Sequence, residues 1–146
     1  MMEIEVGTQV GLYRIMEQLG QGGMATVFKA RHTVLKRDAA LKFLHPAFLE
    51  DPEFVERFRH EARMIAGLEH PNIVPVFDFA EYDGLPFLAM KFIRGETLKA
   101  TLSRGGLSME KSCRIIDAVG QGLAYAHAKG ILHRDVKPSN VLMGED

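Results

Sequence analysis

Between residues 13 and 44, short apolar runs are separated by turn-forming residues. "YRIMEQLG" leads into the glycine cluster "GQGGMA", and "TVFKARH" follows with β-branched and aromatic residues. After the charged turn "LKRD" comes the apolar run "AALKFL". Strand, turn, strand, turn, strand predicts an antiparallel meander, closed by Pro46. The period then changes. Residues 52–68, "PEFVERFRHEARMIAGL", read as a helix capped by Asp51, with Pro52 at its first position and Gly67 at its end. "IVPVFDFAEYDGLPFLAMKFI" reads as a hairpin of 73–82 and 86–93 turning at "YDG". A second helix is expected over 108–129, capped by Ser108 and stopped by Gly130.

Five strands enclosing one helix, followed by helices, give an α+β organisation: a small lobe at 1–93, joined through "RGETL" to a helical piece at 94–146. At 47% hydrophobic and 25% charged, the 146 residues are long and apolar enough to bury a core. The formal net charge of −1 gives no global field for nucleic acid or an anionic membrane. No basic stretch followed by an apolar core opens the sequence, and no run approaches a membrane-spanning length. The single cysteine, Cys113, excludes an intrachain disulfide framework, and the six histidines show no metal-ligand spacing. A cytoplasmic location is the resulting expectation.

Three places break the pattern. Gly20, Gly22 and Ala25 fit G-x-G-x-x-G/A, but strand formers follow, where a dinucleotide-binding turn opens a helix; a P-loop would need Gly-Lys-Ser/Thr. Two readings stay open: a hairpin turn whose bare backbone N–H groups approach phosphate oxygens, or a glycine-rich turn with no ligand. Next, Phe54, Phe58, Ile65 and Leu68 form an apolar stripe on the first helix, and Glu61 projects into its centre. Lys42 sits inside "AALKFL". Each alone has an ordinary explanation, at a strand edge or a stripe end; together they predict a buried ion pair, because an unpaired buried carboxylate is costly. Last, "HRDVKPSN" (133–140) gathers His, Arg, Asp, Lys and Asn into eight positions.

Taken in order, "GQGGMATV", "AALK", Glu61, "LEHPNIV" and "HRDVKPSN" resemble the protein kinases of eukaryotic type, over nearly the whole chain from Tyr13 to Leu142. The resemblance implies a kinase small lobe, a five-stranded antiparallel sheet plus one helix, then the first helices of the large lobe as far as the catalytic loop. It implies transfer of the γ-phosphoryl of MgATP to protein hydroxyls. Asp135 would be the catalytic base, Asn140 a Mg²⁺ ligand, and Lys137 a cation neutralising the γ-phosphate. Lys42 would hold the α- and β-phosphates, aimed by Glu61. Leu19, Gly20, Gly22, Val27, Ala40 and Leu142 would enclose the nucleotide, with Met90 as gatekeeper and Lys91 to Ile93 as the hinge along the adenine edge.

Lys137 within "DVKPSN" resembles the serine/threonine branch. Small-molecule phosphotransferases share a related His-x-Asp…Asn pattern, but usually without Arg134, Lys137 and Pro138 together. Two departures stand out. Ala25 replaces the third glycine, as in many bacterial kinases. The sequence also contains no Asp-Phe-Gly, activation segment or Ala-Pro-Glu, which relatives place beyond the asparagine. Hence the expectation of an N-terminal kinase fragment, with a catalytically inactive nucleotide- or partner-binding module as the alternative. Cys113, Ile116, Val119, Leu123 and Ala126 on the second helix would then lie partly uncovered, a surface for a partner.

Overall fold

The computed structural model describes residues 4–145. The chain forms two compact units: one runs up to Gly67 and includes Pro75–Phe92, and the other comprises Leu68–Val74 and the residues from Ile93 onward.

The first unit is an antiparallel sheet in the order β1-β2-β3-β4-β6-β5. Its strands are β1 (Gln9–Val10), β2 (Tyr13–Gln21), β3 (Ala25–His32), β4 (Asp38–Leu44), β5 (Val76–Tyr82) and β6 (Leu85–Lys91). The five expected strands are present, and two-residue β1 adds a sixth, pairing Gln9 with Arg14 and Val10 with Tyr13. The hairpin between β5 and β6 turns at Asp83 (φ 49°) and Gly84 (φ 76°), the pair of positive φ values that suits the strand twist.

Period-two alternation divides β4 between two layers. Ala39, Leu41 and Phe43 join Ile15, Phe28, Ala30, Phe87 and Ala89 in one core cluster. Leu44, on the opposite face, joins Leu88 of β6 and Phe58 and Ala62 of helix α1 (Pro52–Ala66) in the other. Helix α1 starts as expected: the Asp51 carboxylate accepts a hydrogen bond from the Glu53 N–H at 3.0 Å.

Its buried face differs from the expected stripe. Phe58 and Ala62 are its buried residues, with Val55 packed against the same cluster; Phe54 and Ile65 are half-buried, and Leu68 lies beyond the Gly67 cap. Glu61, one position before Ala62, points to solvent. Phe58 and Ala62 are the helix residues in the cluster with Leu44 and Leu88, and Glu61 lies off that buried face. The expected burial of Glu61 is therefore corrected.

The second unit contains α2 (Leu98–Ser103), α3 (Met109–Ala128) and a two-stranded sheet of β7 (Gly95–Thr97) and β8 (Leu142–Gly144). Helix α3 has the expected Ser108 cap, whose hydroxyl accepts from the Lys111 N–H at 3.1 Å. Segment Leu68–Val74 docks on it. The Tyr125 hydroxyl accepts from the Glu69 N–H at 3.1 Å, the His70 and Tyr125 rings lie 5.2 Å apart, and Gly122 makes room for the Asn72 backbone. Ala126, expected to be uncovered, is buried, whereas Ile116 is 71% exposed and Cys113 is exposed.

Candidate active site

In the first unit, the register collects several of the expected residues on one sheet face. Val27 pairs with Lys42, which pairs with Leu88, and Ala40 pairs with Met90; directly opposed residues point the same way. Val27, Ala40, Lys42 and Met90 thus share the face that also carries Leu44. Lys91 follows Met90 at the end of β6, and Leu19 is 43% exposed on β2.

The glycine turn is closed by the Gly22 N–H donating to the Ala25 carbonyl at 2.8 Å, and the His45 N–H donates to the Met24 carbonyl at 2.7 Å. Gly20, Gly22 and Gly23 do not have positive φ. A Cβ added at Gly20 or Gly23 would meet nothing within 4 Å, and one at Gly22 only the Ala25 oxygen at 3.7 Å. Neither backbone conformation nor internal packing therefore demands glycine here, and the turn keeps open space over its backbone.

Lys42 is half-buried between Leu41 and Phe43. Among the described residues, the seven ion pairs within 4.0 Å include neither Lys42 nor Glu61. The expected Lys42–Glu61 pair is absent among the described residues: Glu61 is exposed, off the buried face of α1 that carries Phe58 and Ala62. The Lys42 ammonium is left without a carboxylate partner among these residues.

In the second unit, the sequence 133–140 folds into a small hydrogen-bonded polar cluster. The His133 Nδ1 accepts from the Asp135 N–H at 3.1 Å, and Arg134, between them, takes a left-handed conformation with φ 68°. Pro138–Asn140 forms one 3₁₀ turn, which swings Asn140 back over the loop. Its Nδ2 donates to the Asp135 carbonyl at 2.8 Å and to the Asp135 carboxylate at 3.3 Å. Lys137 Nζ lies 3.4 Å from the same carboxylate oxygen. Both charged side chains are more than half exposed, so the pair adds little stability. Its geometric effect is to hold a carboxylate, an ammonium and an amide together at the surface.

Asn140 spends its amide hydrogens on Asp135, which leaves its Oδ1 available as an acceptor. An amide oxygen beside a carboxylate is the hard donor set that Mg²⁺ takes. That ion keeps several waters and needs only one or two protein oxygens besides substrate phosphates. No group of three or more His, Cys, Asp or Glu with metal-binding geometry occurs among the described residues. The site thus suits a phosphate-associated Mg²⁺ rather than a metal held wholly by protein.

Sequence reasoning missed the sheet flanking this loop. Glu96 on β7 accepts hydrogen bonds from the Arg104 guanidinium and, at 2.9 Å, from the Thr101 hydroxyl. Arg104 and then Thr101 hold its carboxyl below the ordinary glutamate range. The only sequence signal was "GET" itself. Ile93, expected at the hinge, belongs to the second unit, and Leu142 opens β8.

The sequence of residues 13–146 matches the protein kinase domain family. Serine/threonine-protein kinase PknH of Mycobacterium bovis is 41% identical over 142 residues, 97% of this chain and 24% of that protein. PknE of the same organism is 41% identical over 145 residues, 99% of this chain and 26% of that protein. The kinase domain of Mycobacterium tuberculosis PknI superposes with a TM-score of 0.82 at 34% identity, over 98% of this chain and 59% of that one. The chain thus spans about a quarter of the length of these curated relatives. The HRDVKPSN cluster and the Lys42-bearing sheet fall within the matched residues, and the chain belongs to the protein kinase domain family.

Proposed function

We propose that this chain is the small lobe and the start of the large lobe of a serine/threonine protein kinase, divided near residue 93, which transfers the γ-phosphoryl of MgATP to serine and threonine hydroxyls of proteins. The observation that carries the reading is the Asp135–Lys137–Asn140 cluster. Phosphoryl transfer requires little covalent help from protein; positioning and charge stabilisation supply most of the rate.

In this reading Asp135 orients the acceptor hydroxyl and takes its proton. Lys137 neutralises charge on the γ-phosphate, and Asn140 offers Oδ1 to the metal while its Nδ2 fixes Asp135. Bound Mg²⁺ supplies charge neutralisation on the phosphates. Lys42 takes the α- and β-phosphates, with the turn at Gly20 and Gly22 above them. The reading assigns contacts to the adenine to Leu19, Val27, Ala40, Met90 and Lys91 of the first unit and, in the second unit, to Ile93 and Leu142. Lys137 favours Ser/Thr over Tyr acceptors. The one cysteine, exposed and free, fits a reducing cytoplasm, and no helix among the described residues is long and apolar enough to cross a membrane.

The test is transfer from labelled ATP with Mg²⁺ to casein by the native gene product, against its Asp135→Asn variant. Label on serine and threonine, lost by about a thousandfold or more in the variant, is expected when a base and its positioning are removed together. Undiminished transfer by the variant, or label on tyrosine alone, overturns the assignment. One observation favours a second reading, an inactive nucleotide- or partner-binding module: Glu61 is exposed and makes no ion pair with Lys42 among the described residues. MgATP binding without Asp135-dependent transfer would select it.

A further inference from the structure

The Asp135–Asn140 cluster is exposed, and its Pro138–Asn140 turn lies beside α2 and β7. Its backbone hydrogen bonds to those elements are made by the residues immediately after it. Val141 accepts a hydrogen bond from the Leu98 N–H at 2.8 Å, and the Glu145 N–H donates to the Arg94 carbonyl at 3.0 Å. Between these two bonds β8 lies antiparallel to β7, with Thr97 opposite Leu142, Glu96 opposite Met143 and Gly95 opposite Gly144. Asn140 is one residue from the first of these bonds. The strand segment 94–98 therefore clamps the C-terminal end of the polar loop, though it carries none of the charged groups assigned to the reaction.

The clamp closes only because residue 95 is glycine. Gly95 has φ +140°, and a Cβ built on it would lie 1.9 Å from the Met143 carbonyl oxygen, 3.0 Å from the Met143 carbonyl carbon and 3.4 Å from the Gly144 Cα. All three are backbone atoms, so no side-chain rotation relieves the overlap. Any L-residue at 95 must part the two strands. Gly144, directly opposite, is different: its added Cβ would meet only the Ile93 Cγ2, at an ordinary 3.6 Å. The requirement belongs to one residue and not to the strand pair in general.

We infer that Gly95, through the β7–β8 clamp, is a positioning residue for the Asn140 amide and the Asp135 carboxylate. The inference rests on the proposed kinase reading for its consequence, because the oxygen so placed is the one assigned to Mg²⁺. A side chain at 95 frees Val141, Asn140 then loses its fixed approach to Asp135, and the donor set disperses without any of its members being altered.

The test uses the ¹⁵N-labelled 146-residue chain in three variants, read first without metal. In Gly95→Ala, the Leu98 N–H exchanges about tenfold faster or more, the loss of one protected hydrogen bond, and the Asn140 side-chain amide resonance moves toward that of a free asparagine. Leu98→Pro removes the bond to Val141 without adding bulk at 95. Leu98 is the first residue of α2, where proline fits, and Thr97 before it is already extended (φ −74°, ψ 155°). It moves the Asn140 resonance in the same direction. Gly144→Ala leaves the Asn140 resonance and the Leu98 exchange as in the parent.

Exchange at α3 amides monitors folding. If Gly95→Ala loses protection there as well, the folded Leu98→Pro chain decides the matter. An unmoved Asn140 resonance in either folded variant, or an equal shift in Gly144→Ala, overturns the inference. Mn²⁺ with ATP is then added to the parent. Broadening of the Asn140 amide supports the metal assignment, and its absence refutes that assignment while the metal-free shifts still judge the role of Gly95.

Discussion

His32 shows how one side chain can organise a turn. It is buried at 8% exposure, its ring meets Tyr13 edge-on at 5.1 Å, and its Nδ1 accepts from the N–H groups of both Val34 and Leu35, at 3.3 and 2.9 Å. Replacing it with alanine strands two backbone donors and empties a core site. His32→Ala should cost about 2 kcal/mol by the usual loss for unsatisfied groups, read as a lower urea midpoint. His45→Ala is the control: half-buried His45 accepts a single N–H, from Ala47 at 3.3 Å, and its removal should cost at most half as much, about 0.5–1 kcal/mol. Equal midpoints for the two variants would contradict the argument. Glu96 gives a pH-dependent case. Its folded pKa is depressed, chiefly by Arg104 and then by the Thr101 hydroxyl. The stability it contributes is therefore complete above the ordinary value of 4.5 and is lost as pH falls through the lower folded value. A ¹³C titration of its carboxyl should show a midpoint below 4.5 that Arg104→Gln moves up toward that value, the Thr101 hydrogen bond remaining.

The elements show which signals travel in sequence alone. The meander, the hairpin turn at Asp83–Gly84 and the caps at Asp51 and Ser108 were legible, because each is decided within a few residues by turn chemistry or a capping side chain. The rotation of α1 was not. Aromatic Phe54 outweighs Ala62 in any hydrophobic count, yet Ala62 is buried against the sheet and Phe54 is only half-buried. Strands β7 and β8 were also invisible: each is three residues long, and their pairing depends on a loop closed much later in the chain. In the candidate site, the hydrogen bond from Asn140 to Asp135 depends on the 3₁₀ turn at Pro138, which residue spacing alone does not specify. The α3 glycines test this view of packing. Gly120 sits in the helix with nothing within 4 Å of an added Cβ, whereas Gly122 would meet the Asn72 carbonyl oxygen at 3.3 Å and its Cβ at 3.4 Å. Gly120→Ala should stabilise the second unit by about 0.5–1 kcal/mol through helix propensity. Gly122→Ala should lose that gain to strain against Asn72 and expose the Glu69 N–H to faster exchange. The reverse ranking in thermal unfolding would mean that segment 68–74 is not seated on α3 as described.

The chain as a unit of solution behaviour is governed by what each part leaves uncovered. Helix α3 buries Gly122 and Ala126 against segment 68–74 and the turn after the helix, but its earlier turns carry Met109 at 80% and Ile116 at 71% exposure, next to exposed Cys113. Leu132 and Val136, near and within the polar loop, are 61% and 55% exposed. Scattered single apolar residues are normal on a protein surface, so a branched aliphatic residue matters only if water is replaced around it by a second protein surface. The net charge of −1 supplies almost no repulsion between copies. Self-association of the 146-residue chain through α3 is the expected outcome at high concentration. Ile116→Lys removes the most exposed aliphatic side chain on that helix and adds a charge, at a position where no buried contact is lost. It should lower the weight-average mass measured by light scattering at a given concentration without changing the unfolding free energy by more than about 0.5 kcal/mol, the usual limit for an exposed substitution. Leu35→Lys, a change of the same kind at a 58% exposed site in the first unit, serves as the comparison. If Leu35→Lys reduces association and Ile116→Lys does not, the sticky surface lies on the sheet, and α3 is exposed without being adhesive.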